Sequence, residues 1–280
     1  MNINHISISR SKTFKECRRK YLYQYHLKTP SPEPEPAFFT FGKIVHKIAE
    51  EYVRTRGAKP YSVLWEDIKA GRLEIDEGAD APQLTKDQLR RLLKHLKFLQ
   101  KLNNRIGRDG IVEYGFKYDL DPPNGRNVVG FIDRLILSAD QAFILDYKTT
   151  KPGKFRCTRK QAPFDPQLRT YARVVQKEFG IPSHKIAAAF YYLEDGELIA
   201  TNFTDELLEH NESSLRELYF QIENADPNNV VGTPGEYCRF CNYRSLCPES
   251  RFRNSQKEIS YPKNFAHLIP QTQRASGEGT

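Results

Sequence analysis

The chain has 280 residues, 39% of them hydrophobic and 12% aromatic, which excludes a disordered or fibrous protein and suffices for a sizeable core. Its 43 lysines and arginines against 35 acidic residues leave a net charge of +8, a balance that favours a polyanionic partner. The longest apolar run, Ile186 to Leu193, is strand-sized, and the polar start with His5, Arg10 and Lys12 holds no apolar leader, so no membrane is expected and a reducing cytoplasm is.

Residues 6–28 mix serine, basic and aromatic types and read as a helix with Ser7, Ser9 and Ser11 as candidate caps, followed by a proline-rich loop from Pro30 to Pro36. From Phe41 to Arg54 the apolar residues Ile44, Val45, Ile48, Ala49 and Tyr52 recur at helical spacing. Residues 60–108 read as a helical insertion, strongest at 85–102, where Leu89, Leu92, Leu93, Leu96 and Leu99 form an apolar face. Three β-rich runs follow at 112–120, 127–137 and 141–148, separated by turn formers, so a meander is expected. A helix over 165–179, a buried strand over 185–193 and a helix over 206–222 complete an α/β core. A Cys-rich loop occupies 238–247, and a polar tail over 256–280 is expected to be disordered.

The run VVGFIDRLILSADQAFILDYKTT carries the most chemistry. If its two strands turn about Ala139 and Asp140, paired positions sum to 279 and Asp133 faces Asp146. Two carboxylates across a strand pair repel unless a cation lies between them. Alternation puts Asp146 and Lys148 on one face. A hard cation held by one or two carboxylates leaves positions for water and phosphate, and an adjacent ammonium can orient the water or neutralise developing charge. A surface Asp–Lys pair on an ordinary hairpin is the plain alternative, which the facing carboxylate disfavours.

Cys238, Cys241 and Cys247 form C-x2-C-x5-C, and three cysteines within ten residues point to ligation rather than disulfides. The fourth ligand is Cys17 or Cys157, and the spacing admits zinc or an iron–sulfur cluster alike.

GFID followed by LDYKTT resembles the PD-(D/E)xK nuclease superfamily in its RecB-like branch. The resemblance implies a restriction-endonuclease-like α/β core with a central mixed sheet. It implies Mg²⁺ or Mn²⁺ on Asp133, Asp146 and the Tyr147 carbonyl, with Lys148 as the catalytic lysine beside the catalytic pair Asp133 and Asp146. His46 in FGKIVHKIAEEY resembles the histidine that completes that metal shell. Gln167 and Tyr171 in QLRTYARVV resemble the Q-x-x-x-Y element and would face DNA, though their spacing suits ordinary packing as well. Glu113, at the start of the first β-rich run, is a further acid that is left out of the expected site.

A cysteine at the end of an N-terminal S-x-S-x(7)-C element, with three near the other end, is similar to the AddB nuclease domain and to CRISPR-associated RecB-like exonucleases. By that likeness Cys17, Cys238, Cys241 and Cys247 hold a [4Fe–4S] cluster and Cys157 is free, within one domain spanning about 1–250. Relatives often have proline where this chain has Arg18. CRRKYLYQYHLK interleaves Arg18 and Arg19 with Tyr21, Tyr23 and Tyr25, a pattern that suits single-stranded DNA held without sequence preference, and equally a packed core. No nucleotide-binding G-x-x-x-x-G-K-[ST] loop occurs, so unwinding would need a helicase or recombination partner. The expected activity is that of an exonuclease in repair, recombination, phage or CRISPR processes; the alternatives are a DNA-binding module that does not cut and a zinc-stabilised scaffold.

Overall fold

A computed structural model describes residues 1, 3–33, 37–76 and 82–252, which fall into two compact units: residues 1–36 with 217–280, and residues 37–216. The tail over 256–280 and the prolines at 34 and 36 lie outside the described residues.

In the first unit, helix α1 (Ile8–Glu16) is capped by the Ser7 hydroxyl, which accepts the Arg10 N–H at 3.2 Å. The helix expected over 6–28 is interrupted at Cys17, whose extended backbone (φ −160°, ψ 108°) still donates its N–H to Thr13 O. Helix α2 (Arg18–Tyr21) and a π-helical turn (Leu22–His26) then resume. The tyrosines settle largely as core. Tyr21 and Tyr23 are 0% and 7% exposed, and Tyr23 packs with Tyr243 and Leu246 in a small cluster flanked by Leu27 and Cys241. Around the later cysteines the backbone winds in short turns: Cys241 N–H donates to Cys238 O at 3.2 Å and Cys247 N–H to Tyr243 O at 3.0 Å.

The second unit opens with α3 (Ala37–Arg54), α4 (Tyr61–Lys69) and α5 (Lys86–Ile106). Thr85 and Gln88 form a reciprocal capping box at the start of α5, satisfying N–H groups that a helix end leaves orphaned. The buried stripe of α5 is Leu92, Leu96, Leu99 and Leu102; Leu89 and Leu93 of the expected face are 36% and 52% exposed. That stripe packs with Phe41, Ile44, Val45 and Ile48 of α3 and Leu64 and Ile68 of α4.

Five strands form one sheet in sequence order: β1 (Ile111–Asp121), β2 (Arg126–Leu137), β3 (Ala142–Lys148), β4 (Ile186–Tyr192) and β5 (Glu197–Asn202). Only β3 and β4 are parallel, and α6 (Pro166–Phe179) connects them. Asp165 caps α6 by accepting two N–H bonds, Pro166 starts it with a pre-set φ, and Gly180 ends it at φ 68°. Strand β5 was not among the expected elements. Its signal was Asp195-Gly196 between two β-prone runs, and Gly196 indeed turns at φ 76° with its N–H on Tyr192 O. Helix α7 (Asp205–Glu223) follows. The mixed sheet flanked by helices is a restriction-endonuclease-like α/β fold.

On β3 and β4, Leu145, Tyr147, Ala189 and Tyr191 join the core of α3, α4 and α5. Alternation therefore turns Asp146 and Lys148 to the opposite face. Buried Arg134 on β2 spends its guanidinium on Asn103 Oδ1 (2.6 Å) and the carbonyls of Gly107 and Asp109, tying the exit of α5 to the strand that carries Asp133.

Candidate active site

The β2–β3 hairpin closes at Ser138 and Gln141, with Ser138 N–H donating to Gln141 O at 2.9 Å. Its register runs from Leu137 with Ala142 to Arg134 with Leu145, the sum of 279 expected from the turn. One step further the ladder gives way to a side chain: Asp133 Oδ2 accepts the Tyr147 N–H at 2.7 Å. The same oxygen lies 3.4 Å from His46 Nδ1, delivered by α3.

Asp146, 2% exposed, is held from two sides. Lys148 Nζ lies 2.6 Å from its Oδ2, and Gln167 Nε2 donates to its Oδ1 at 2.6 Å. The Gln167 amide also donates to Tyr171 OH (2.8 Å) and its Oε1 accepts from Lys148 (3.1 Å). Tyr171, 6% exposed, meets Phe116 edge-on. Gln167 and Tyr171 therefore brace the acid–lysine pair from α6, supplying polar partners to a carboxylate that is buried.

The charges shape one another. Burial pushes Asp146 up from the usual carboxylate range against the pull of Lys148. Burial acts the same way on Asp133, but His46, Lys148 and the Tyr147 N–H outweigh it and the net direction is down. Burial would lower His46, yet the adjacent Asp133 carboxylate lifts it to about 9.

Glu113 is the residue that sequence reasoning left at the margin. Its ligand atom, with those of His46 and Asp133, belongs to a group whose atoms all lie within 4.8 Å of one another. The β1–β2 ladder pairs Val112 with Arg134 and Tyr114 with Ile132 and skips the pair between, Glu113 and Asp133. Glu113 takes φ +48°, a left-handed conformation that costs a non-glycine residue about 1–2 kcal/mol and that recurs at functional sites. Burial, with Asp133 nearby, raises its carboxyl to about 7. The turn at Pro122–Gly125 would not have signalled it: its register, with Asp121 opposite Arg126, sets Glu113 against Arg134, and the shift between Asp119 and Asp121 is what brings Glu113 level with Asp133. Asp146, its oxygens occupied by Lys148 and Gln167, is not in this group.

The three residues line a cleft of about 610 Å³ with Phe38, Phe39, Gly42, Thr149 and Thr150. Two carboxylates and an imidazole in reach of one point, open to solvent, fit a divalent cation such as Mg²⁺ or Mn²⁺, and a cation would remove the repulsion that their closeness creates.

A family model for the PD-(D/E)XK nuclease superfamily matches residues 5–248. The chain belongs to that superfamily. PD-(D/E)XK nucleases use divalent metals, in keeping with the His46, Glu113 and Asp133 group. No curated protein matches the chain. A solved structure titled the crystal structure of SSO0001 is similar over 89% of each chain at 13% identity and a TM-score of 0.41. No helix among the described residues is long and apolar enough to cross a membrane.

In the first unit, Cys17, Cys238 and Cys247 are buried and Cys241 partly so, none of them in a disulfide. Burial raises Cys241 and carries Cys247 to about 12, helped by Glu249; the charges of Cys17 and Cys238 act on Cys241, and that of Cys17 on Cys247. Gly235 N–H points to Cys238 Sγ at 3.4 Å, and Cys247 Sγ lies 3.2 Å from Glu249 Oε2. Arg19 is bound to that same Glu249 at 2.8 Å with 16% of its side chain exposed, and Arg18 stacks 5.2 Å over Phe14. Arg19, a candidate DNA contact, thus has its charge paired with the half-buried Glu249 beside Cys247. Cys157 belongs to the other unit, where its N–H donates to Tyr192 OH.

Proposed function

We propose that this nuclease is a Mg²⁺- or Mn²⁺-dependent DNA exonuclease acting on single-stranded ends without sequence preference, stapled by a [4Fe–4S] cluster on Cys17, Cys238, Cys241 and Cys247. The observation that carries the reading is the His46, Glu113 and Asp133 group on an open cleft, with the Lys148 ammonium close enough to act on both His46 and Asp133. His46, Asp133 and Glu113 would hold the cation, with the Tyr147 carbonyl and Asp146 as the further ligands that the family likeness implies. When bound, the cation supplies Lewis acidity at the scissile phosphate and a more acidic water. Lys148, aimed by Asp146 and Gln167, stabilises charge building on the phosphate oxygens, and Asp133 holds His46 in place.

The cluster reading rests on the likeness of the Cys17 and C-x2-C-x5-C arrangement to RecB-like exonucleases, and all four cysteines lie in the same compact unit.

The direct test is digestion of end-labelled linear and circular single strands by anaerobically purified protein with Mn²⁺. Loss of the linear strand with the circle spared is the expected result. Equal cutting of both would remove the exonuclease assignment, and retained binding without any cutting would leave a DNA-binding module.

Metal affinity should rise with pH. In the metal-free chain His46 (about 9) and Glu113 (about 7) hold protons at neutrality that a cation must displace. Both groups are raised above their unfolded values, so their stabilising protonation is complete at low pH and is lost as pH climbs through 7 and then 9. Titration calorimetry with Mn²⁺ near pH 7.5, in buffers of different ionisation enthalpy, should show proton release, and added Mn²⁺ should raise the melting temperature more at pH 8 than at pH 6. Proton-neutral binding would remove His46 and Glu113 from the ligand set.

A further inference from the structure

We propose that Phe38 and Phe39 form a stacking rim for the unpaired bases of a DNA end, with Gly42 leaving room for the sugar–phosphate chain between that rim and His46. This rests on the nuclease reading above and names how its substrate is held. One face of α3 lines the cleft through Phe38, Phe39, Gly42, Lys43, His46 and Lys47. Residues three and four apart share a helix face, so aromatic pair, glycine and histidine follow one another along a rigid rod. At about 1.5 Å per residue, Phe38 and His46 are about 12 Å apart along its axis, room for a short run of nucleotides.

The two rings are 46% and 49% exposed, whereas Phe41, two residues on, is 1% exposed and sits in the core. Their centroids lie 4.5 Å apart with planes tilted by 36°. Both phenyls line the cleft with about half their surface open to water, and exposed aromatic surface in a cleft is what a contact site offers. Every base has a face that stacks on such a ring, so the contact is blind to sequence and is withheld from bases locked in a duplex. The neighbouring cations are already engaged, Lys43 with Asp76 at 2.7 Å and Lys47 with Glu50 at 3.0 Å. Stacking, more than phosphate attraction, is what this wall offers.

Gly42 supplies an independent observation. A Cβ there would meet only Thr149 Oγ1, at an ordinary 3.7 Å. Glycine inside a helix is less stable than alanine, and here neither crowding nor a positive φ requires it. The missing methyl widens the passage between α3 and Thr149, where a nucleic-acid backbone can approach closely.

The test measures fluorescence anisotropy of a short labelled oligothymidylate on the full chain, with Ca²⁺ replacing Mg²⁺, alongside cleavage in Mn²⁺. F38A/F39A should weaken binding roughly 5- to 100-fold, and F38W/F39W should restore it. A strand with abasic terminal positions should lose a similar factor on the wild-type chain and nothing further on F38A/F39A. Equal abasic losses on both proteins would overturn stacking. Unchanged binding by F38A/F39A, in a wild-type protein that cleaves, would remove the rim and leave the nuclease reading standing; a wild-type protein that cleaves nothing would sink that reading, while the binding arms still judge the rim. G42A should melt at a higher temperature yet bind intact and abasic strands more weakly, and unchanged binding would remove the backbone passage.

Discussion

With Lys148 replaced by alanine, DNA cleavage should fall by roughly 10²- to 10³-fold while Mn²⁺ binding persists, the loss typical of removing one group aimed at developing charge. Lys148 touches Asp146 and Gln167 and is not itself a candidate ligand. Its removal leaves Asp146 buried without its cation, but burial already raises that carboxyl and Lys148 is the strongest force holding it down. Asp146 then takes up a proton instead of standing as a naked charge, so the fold should survive. Asp133→Ala should behave differently. Asp133 joins His46, Glu113 and the Tyr147 N–H at one point, so cleavage and Mn²⁺ affinity should fall together, affinity by about 10-fold or more. Calorimetry beside a single-turnover assay separates the two variants, and undiminished cleavage by Lys148→Ala would dissolve the proposed catalytic site.

Cys247→Ala should strip iron from the anaerobically purified protein and unfold the first unit. Cys247 is buried beside Glu249, which Arg19 neutralises, so the substitution removes a ligand and unsettles an ion pair at once. Structural metal sites convert binding energy into folding energy, and a loss on the order of 5 kcal/mol or more is expected. Cys157→Ala, in the other unit, should change neither iron content nor melting. Metal analysis and differential scanning calorimetry read both outcomes. A wild-type protein that carries zinc and no iron, or one whose melting ignores Cys247, would overturn the cluster.

What could be read from the residues divides along physical lines. The β2–β3 register followed from a two-residue turn and strand alternation, because both are local and have a period of two. The helices of the second unit announced themselves by apolar spacing, and α3 began four residues earlier than Phe41 because Phe38 and Phe39 add no buried face to the pattern. Three features were hidden. The break at Cys17 obeys no propensity, since a cysteine with extended φ and ψ inside a run of helix formers answers to tertiary demand. Glu113 enters the acidic group through a strained backbone that interrupts its strand, and alternation assumes no interruption. The tyrosines around Arg18 and Arg19 fit base stacking and core packing equally on paper; for Tyr21 and Tyr23 the structure shows packing.

The first unit is discontinuous in sequence, and the second is not. During synthesis Cys17 leaves the ribosome about 220 residues ahead of Cys238, a wait of roughly 10–40 s at about 5–20 residues per second. The stretch from 37 to 216 is complete in sequence about 22 residues before Cys238 is added, whereas the early cysteine meets none of its proposed sulfur companions until then. A cluster on the four cysteines, as proposed, can therefore close only after every residue of the second unit has been made, and a chain halted before Cys238 lacks three of its four ligands.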